Sequence, residues 1–447
     1  MSKPIVAIIG RPNVGKSSLF NYLTGKRISI IEDTPGVTRD RIYQDIEWSG
    51  RTVSLVDTGG LEPYSTDSIL VQMKRQAEIA VDLANVIIFM VDAKDGVTAT
   101  DKEIATMLRI SGKPIVLTVN KVDSIGEPPP EIYEFYNLGI GDFCTVSAAH
   151  GLGIGELLDA VFGQLPPREE DEEEENVIKV AVVGKPNAGK SSLINKLLGE
   201  ERVIVSDIPG TTRDAIDSYL TVDGQRYCII DTAGMRKRGK ITDNIERYSI
   251  MRSLTAVDRS DVVLLMIDAS EGVTEQDTKI AGYAYDQGKA TVIAVNKWDL
   301  IEKETGTLEK FKKEVYDKLS FMTYSPMLFI SALTGQRVSK VLETVRKVAE
   351  AASYRVTTGM LNDVLSEAIA INQPPSDKGK RLKIYYMTQV KVKPPTFAIF
   401  CNSAKLFHFS YQRFIENRLR QNFGFEGTPI VLNIREKGEG ENASARD

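Results

Sequence analysis

The chain repeats itself. The stretch IVAIIGRPNVGKSSLFNYLTG, from Ile5, reappears from Lys179 as KVAVVGKPNAGKSSLINKLLG, with Gly10 and Gly184 lying 174 positions apart. TPGVTRD at Thr34 and IPGTTRD at Ile208 keep that spacing, as do DTGG at Asp57 and DTAG at Asp231. NKVD at Asn120 with NKWD at Asn296, and SAA at Ser147 with SAL at Ser331, drift to 176 and 184, as small insertions late in each copy would produce. A period this long signals duplicated domains rather than a solenoid of short units. Whatever one copy folds into, the chain must build twice.

Within a copy, β-branched apolar runs (PIVAIIG, TVSLVD, VIIFMVDA, PIVLTVN) alternate with the helical patterns GKSSLFNYLTG and SILVQMKRQAEIAVDLA. Near-continuous apolar runs fit strands buried on both faces of a parallel sheet. The alternation predicts an α/β fold, a doubly wound and mostly parallel sheet, in two tandem copies.

Composition narrows the chemistry. The 447 residues exceed one comfortable domain, and 42% are hydrophobic, enough for real cores. Only two histidines, His150 and His408, are present, so a histidine-built zinc site or a Ser-His-Asp triad is poorly supplied. The three cysteines, Cys144, Cys228 and Cys401, are odd in number and far apart, which predicts reduced thiols in a cytoplasmic protein. No stretch approaches the ~20 apolar residues that span a bilayer, so no membrane role is expected. The net charge of −5 makes the whole chain no obvious polyanion binder.

GxxxxGK[ST] occurs twice, each time after a predicted strand and before a predicted helix. The loop Gly10–Arg11–Pro12–Asn13–Val14–Gly15–Lys16–Ser17–Ser18 and its copy Gly184–Lys185–Pro186–Asn187–Ala188–Gly189–Lys190–Ser191–Ser192 are expected to bind nucleotide. Glycines let backbone N–H groups curl around phosphate, the helix N-terminus adds its dipole, and Lys16 and Lys190 reach the terminal phosphates. Ser17 and Ser191 offer a hydroxyl to Mg2+. Asp57 and Asp231 would hold Mg2+ through water, and Gly60 and Gly234 would bring an N–H to the γ-phosphate, within Asp57–Thr58–Gly59–Gly60–Leu61 and Asp231–Thr232–Ala233–Gly234–Met235. Thr38 and Thr212 lie between these motifs, placed to close on Mg2+ and the γ-phosphate and to let go after hydrolysis.

The base would be read by Asn120–Lys121–Val122–Asp123 and Asn296–Lys297–Trp298–Asp299, each after an apolar strand. A carboxylate there accepts from guanine N1–H and its 2-amino group. Adenine would leave that carboxylate unpaired, so GTP is the expected substrate. Asn120 and Asn296 would brace the loop, and the stems of Lys121 and Lys297 would cover the base. Ser147–Ala148 and Ser331–Ala332 would offer the N–H of Ala148 and Ala332 to guanine O6.

The order GxxxxGKS, TPGxTRD, DTxG, NKxD, SA resembles the GTPases of the Era/TrmE-like group. Two such domains, an acidic linker and a small basic domain resemble the Der (EngA) family of bacterial double-Era-like GTPases. That resemblance covers nearly the whole chain and implies a role in maturing the large (50S) ribosomal subunit, with its rRNA as partner. The domains expected are a first G domain over 1–166, a linker over 167–176 with seven consecutive acids, a second G domain over 177–352, a KH-like basic domain over 353–437 and a disordered tail over 438–447. A monomer is expected.

Ras-like enzymes place a Gln directly after DTAG to orient water, whereas here Leu61 and Met235 stand there. The Der resemblance implies K+ in place of an arginine finger, with Asn13 and Asn187 as ligands. Arg39 or Arg213 acting in cis is the alternative, and a non-catalytic scaffold is another. Residues 354–437 carry thirteen Lys or Arg against six Asp or Glu. Their pattern reads α-β-β-α-β, and GFEG at Gly424–Gly427 reads as a helix cap and turn rather than a clamp on RNA backbone. Candidate RNA contacts are Lys378, Lys380, Arg381, Lys383, Lys391, Lys393, Arg413, Arg418 and Arg420, with the hairpin pair Lys391 and Lys393 ranked first. Packing of this basic face on a G domain is the competing expectation.

Overall fold

The computed structural model describes residues 4–25, 43–58, 74, 77–78, 80–123, 130–166, 177–199, 204–205, 217–231, 245–377 and 380–436. They fall into two compact units, one holding the first copy and the other the second copy with the C-terminal region.

The first unit runs β1 (Ile5–Gly10), α1 (Lys16–Gly25), β2 (Tyr43–Trp48), β3 (Arg51–Asp57), β4 (Val86–Asp92), α2 (Ala99–Ser111), β5 (Ile115–Asn120), a 3-10 helix (Pro130–Leu138), β6 (Phe143–Thr145) and α3 (Ile154–Gly163). Its sheet order is β2-β3-β1-β4-β5-β6, parallel except for the β2–β3 hairpin. β1 and β4 are buried at every position, which is why their sequences do not alternate. Val6 and Ile8 pack with Leu19 and Phe20 of α1 and with Leu157 and Val161 of α3. The chain leaves β1 toward β3 on one side and β4 on the other. That reversal opens a crevice at the carboxyl end of β1, where a ligand fits an open α/β sheet.

The second unit repeats this plan with β7 (Val177–Val183), α4 (Lys190–Leu198), β8 (Ile204–Val205), β9 (Asp217–Val222), β10 (Gln225–Asp231), α5 (Ile245–Arg259), β11 (Val262–Asp268), α6 (Glu275–Asp286), β12 (Ala290–Asn296), α7 (Thr307–Lys318), β13 (Met327–Phe329) and α8 (Ser339–Ser353). Its order is β13-β12-β11-β7-β10-β9-β8. Alternate residues serve opposite faces: Val180, Val182, Leu264 and Met266 join Val341 and Val345 of α8, whereas Ala181, Val183, Leu265 and Ile267 join Ile280 and Ala284 of α6.

The C-terminal region adds α9 (Thr358–Ile371), the two-residue strands β14 (Ser376–Asp377) and β15 (Lys380–Arg381), β16 (Ile384–Lys391), β17 (Thr396–Cys401), α10 (Phe409–Phe423) and β18 (Val431–Glu436). β17 pairs antiparallel with β16 and parallel with β18. The expected α-β-β-α-β order is present, with the β14–β15 ladder as an addition. GFEG follows the end of α10, with Gly424 at φ 84° and Gly427 at φ 73°.

That turn is also a docking elbow. The Gly427 carbonyl accepts from the Thr291 N–H at 2.6 Å, and its N–H donates to the Tyr324 carbonyl at 2.9 Å. Arg420 lies over the Tyr324 ring, 4.4 Å from its centroid, and donates to the carbonyls of Phe425 and Thr428 at 2.8 and 2.9 Å. Lys393 donates its backbone N–H to the Ala352 carbonyl and sets its ammonium 3.4 Å from Asp261. Asp261 and Thr291 sit at the starts of β11 and β12, so the module docks at the end of the sheet opposite the crevice. Packing therefore claims Arg420, Lys393 stays half-exposed beside Asp261, and Arg418 faces Glu367 at 3.5 Å. Lys380, Arg381, Lys383, Lys391 and Arg413 remain exposed, and Lys378 lies outside the described residues. Cys144, Cys228 and Cys401 are free thiols. Among the described residues no helix is long and apolar enough to cross a membrane.

Candidate functional site

Each phosphate loop joins the end of the central strand to the helix beginning at Lys16 or Lys190. The turn needs left-handed backbone at Asn13 and Gly15 (φ 67° and 102°) and again at Asn187 and Gly189 (φ 63° and 96°). A Cβ at Gly15 would strike the Asn120 amide, one at Gly189 the Asn296 amide, and one at Gly10 or Gly184 the carbonyl of Met90 or Met266. Gly15, Gly184 and Gly189 are therefore required by both positive φ and close approach, and Gly10 by close approach alone.

The lysines fold back into their own loops. Lys16 Nζ donates to the carbonyls of Gly10 and Arg11 at 2.6 and 2.8 Å, and Lys190 Nζ to those of Gly184 and Lys185 at 2.7 and 2.6 Å. Burial lowers the Lys16 ammonium to about 8, with the Asp57 carboxylate opposing that shift. An incoming phosphate offers these ammoniums a charged acceptor in place of two neutral ones.

Asn120 and Asn296 staple three motifs. Their Nδ2 atoms donate to the carbonyls of Val14 and Ala188 at 2.6 and 2.8 Å, and their Oδ1 atoms accept the N–H of Ala148 and Ala332 at 2.9 and 2.8 Å. The N–H that the sequence offers to guanine O6 is thus held by asparagine here, because the strand end brings that amide closer than solvent. At the base end, Ser147 Oγ donates to Asp123 Oδ1 at 2.8 Å and Lys94 lies 3.1 Å from Oδ2. Those bonds, Ser147 first, hold the Asp123 carboxyl below its ordinary range. Ser17 Oγ donates to Asp57 Oδ2 at 2.9 Å, so two hard oxygens converge beside the loop.

Several residues of these motifs turn their side chains into the core, which leaves their backbone groups for the nucleotide. Val14, Ala188, Val122 and Trp298 are buried, and Trp298 packs on Phe311 and Phe329. Thr58 is buried with its hydroxyl donating to the Ile8 carbonyl at 2.6 Å. Val122 and Trp298 follow left-handed backbone at Lys121 and Lys297 (φ 67° and 61°), which ends the strand alternation before them. Arg11 reaches Asp95 and Asp101, and Lys185 reaches Glu271, rather than standing free for phosphate. Pro12, Asn13, Ser17 and Ser18 are exposed at the loop. Thr38, Arg39, Gly59, Gly60, Leu61, Thr212, Arg213, Thr232, Ala233, Gly234, Met235 and the Asp231 side chain lie outside the described residues.

The sequence reading missed four buried acids: Asp92, Asp101, Asp268 and Asp277, none more than 2% exposed. They bound DAKDGVTATD and DASEGVTEQD, and both pairs keep the 176-residue offset of NKxD. That repeat was the available signal.

A phosphate cradle at the switch point of a doubly wound sheet, stapled to a carboxylate-bearing base loop, defines a P-loop nucleotide-binding protein, here built twice. Residues 5–121 and 179–297 match the family described as 50S ribosome-binding GTPase, and residues 355–435 match the KH-domain-like C-terminal region of EngA bacterial GTPase enzymes. GTPase Der of Ruminiclostridium cellulolyticum is 68% identical over 437 residues, covering 98% of this chain and 99% of its own. GTPase Der of Acetivibrio thermocellus is 63% identical, with the same coverage of 98% and 99%. The chain belongs to the GTPase Der family and hydrolyses GTP.

Proposed function

We propose that this protein is a GTP-controlled assembly factor that docks on the maturing large ribosomal subunit, working in the cytoplasm as a monomer. The observation that carries the reading is the pair of asparagine-stapled cradles in a chain of a ribosome-binding GTPase family. Two switches on one chain give up to four nucleotide states, so one site can gate docking that the other reports.

In each copy the loop N–H groups and Lys16 or Lys190 hold the phosphates, and Asp123 or Asp299 selects guanine. Thr38, Gly60, Thr212 and Gly234 respond to the γ-phosphate. The oxygens of Ser17 and Asp57 suit a hard cation and would hold Mg2+, with Ser191, Asp231 and the two threonines in the same roles. When bound, Mg2+ neutralises charge on the phosphates. Asn13 is exposed at the left-handed tip of its loop, and its amide oxygen suits K+, as does that of Asn187. K+ would supply the charge that the apolar Leu61 and Met235 cannot. Turnover in KCl exceeding turnover in NaCl at equal ionic strength is expected, and Asn13→Ala removes that preference at the first site. The exposed Lys380, Arg381, Lys383, Lys391 and Lys393 offer rRNA a basic face, with Lys393 also beside Asp261.

Sedimentation with separated ribosomal subunits, under GDP, a non-hydrolysable GTP analogue or no nucleotide, tests the proposal. Co-sedimentation with the large subunit that changes with nucleotide supports it. Association with neither subunit in any state, or equal association with both, rejects it.

A further inference from the structure

The segments DAKDGVTATD and DASEGVTEQD belong to none of the nucleotide motifs, yet each is bounded by two fully buried carboxylates that contact those motifs. At the near end, Asp92 Oδ2 lies 2.5 Å from Lys121 Nζ, and Asp268 Oδ2 lies 2.6 Å from Lys297 Nζ. The next residue repeats the link through its backbone, because the N–H of Ala93 and of Ala269 donates to the carbonyls of Asn120 and Asn296, both at 2.9 Å. The base loop is therefore held twice.

The far end grips the phosphate loop. Asp101 and Asp277 sit at the third position of α2 and α6, where Oδ2 accepts the N–H and hydroxyl of Thr98 or Thr274 in a capping box. Their other oxygen leaves the helix. Asp101 Oδ1 meets Arg11 Nε at 3.2 Å, and Asp277 Oδ1 accepts the Lys185 N–H at 3.4 Å. A capping box needs no second grip, and a fully buried carboxylate is costly unless its acceptors are used. Burial pushes the Asp277 carboxyl up, and its bonds to Thr274 and Lys185 oppose that shift.

We propose that this segment is a two-ended brace in each copy, with Asp92 and Asp268 positioning the base-covering lysines, and Asp101 and Asp277 positioning the phosphate loop. The first copy makes its far grip with the Arg11 side chain, the second with the Lys185 backbone. The two ends act on different parts of the nucleotide, so they separate experimentally. The inference rests on reading Gly10–Ser17 as a phosphate cradle.

The test uses the full chain carrying Asp299→Asn, so that guanine nucleotides report the first site, and measures Kd for GMP and GDP by competition against a fluorescent GDP. In that background, binding tightens from GMP to GDP as the loop closes on the added phosphate. Asp101→Asn lowers that gain about tenfold, the scale of one lost charge-assisted bond, and leaves GMP close to its starting affinity. Asp92→Asn weakens GMP and GDP by the same factor and keeps the gain. Arg11→Gln removes the far grip from the loop side, reproduces the Asp101→Asn result, and serves if that variant fails to fold. Equal weakening of both nucleotides by Asp101→Asn or Arg11→Gln, or a lower thermal midpoint with both affinities kept, overturns the proposal. A background protein that gains nothing from GMP to GDP rejects the cradle reading itself.

Discussion

In the first copy Lys94 reaches across to Asp123, the carboxylate expected to read guanine, at 3.1 Å. The corresponding residue of the second copy is Ser270, which turns back to donate to Asp268 at 2.6 Å, and among the described residues Asp299 has no cation beside it. The phosphate loops differ in the same way. Arg11 spreads its guanidinium between Asp95 and Asp101, whereas Lys185 pairs with Glu271 and leaves its backbone to Asp277. Behind the second sheet stands the C-terminal module, docked at the strand starts through Tyr324, Thr291 and Asp261. The motif residues build one cradle twice, with the asparagine staples agreeing within 0.2 Å, while the residues between motifs set how each cradle is loaded and supported. Chemistry common to both sites should respond equally to mutation, and everything between the motifs should respond unequally.

The largest effect falls on the base. Asp123→Asn and Asp299→Asn should each weaken GTP at its own site on the order of 10^3-fold, and shift preference toward xanthosine triphosphate, whose 2-oxo group meets the new amide. Affinities for both nucleotides at each site decide this, and a variant that still prefers GTP as strongly as its parent removes that carboxylate from base recognition. Next comes the cradle. Gly15→Ala and Gly189→Ala put a Cβ into the Asn120 or Asn296 amide at positive φ and should each cost about 2 kcal/mol, seen by denaturant unfolding. A large difference between the two would break the equivalence of the loops.

The contact of Arg420 with Tyr324 lies within the second unit. Arg420→Ala removes the stack on Tyr324 and two bonds to carbonyls, and should destabilise that unit by about 1.5 kcal/mol. Its GDP affinity should stay near the parent value, because this contact lies at the opposite end of the strands from the cradle. A tenfold affinity loss would show that docking reaches the nucleotide. The smallest effect concerns Lys94. Lys94→Ala should tighten GDP at the first site a few-fold by freeing Asp123, and the gain should shrink as salt rises. Titrations at two ionic strengths check this, and Ser270→Lys should produce the reverse change at the second site.

Sequence carried what is local. Phosphate loops, strand runs and the α-β-β-α-β order are written in consecutive residues, and all appear where the patterns place them. The asparagine brace was legible because NKxD follows an apolar strand in both copies, 110 and 112 positions after the loop's first glycine. What escaped depends on partners far along the chain. Lys393 reads as a free surface charge, and only the fold brings Asp261, 132 residues earlier, beside it. Arg420 likewise reads as a surface charge until Tyr324 lies under it. Val122 and Trp298 fall inside a binding motif, but the left-handed turn at Lys121 and Lys297 leaves them buried in the core. Asp101 and Asp277 were readable as helix caps, yet nothing in TxxD says that the second carboxylate oxygen reaches a loop some 90 residues away. β14 and β15 are too short for any periodicity to announce.

Two cradles on one chain require two independent guanine sites. Calorimetric titration of the full chain with GDP counts them. Two GDP per chain are expected for the parent, one for Asp123→Asn, one for Asp299→Asn and none for the double variant. A parent that binds one GDP, or a single variant that loses both sites together, would contradict that requirement.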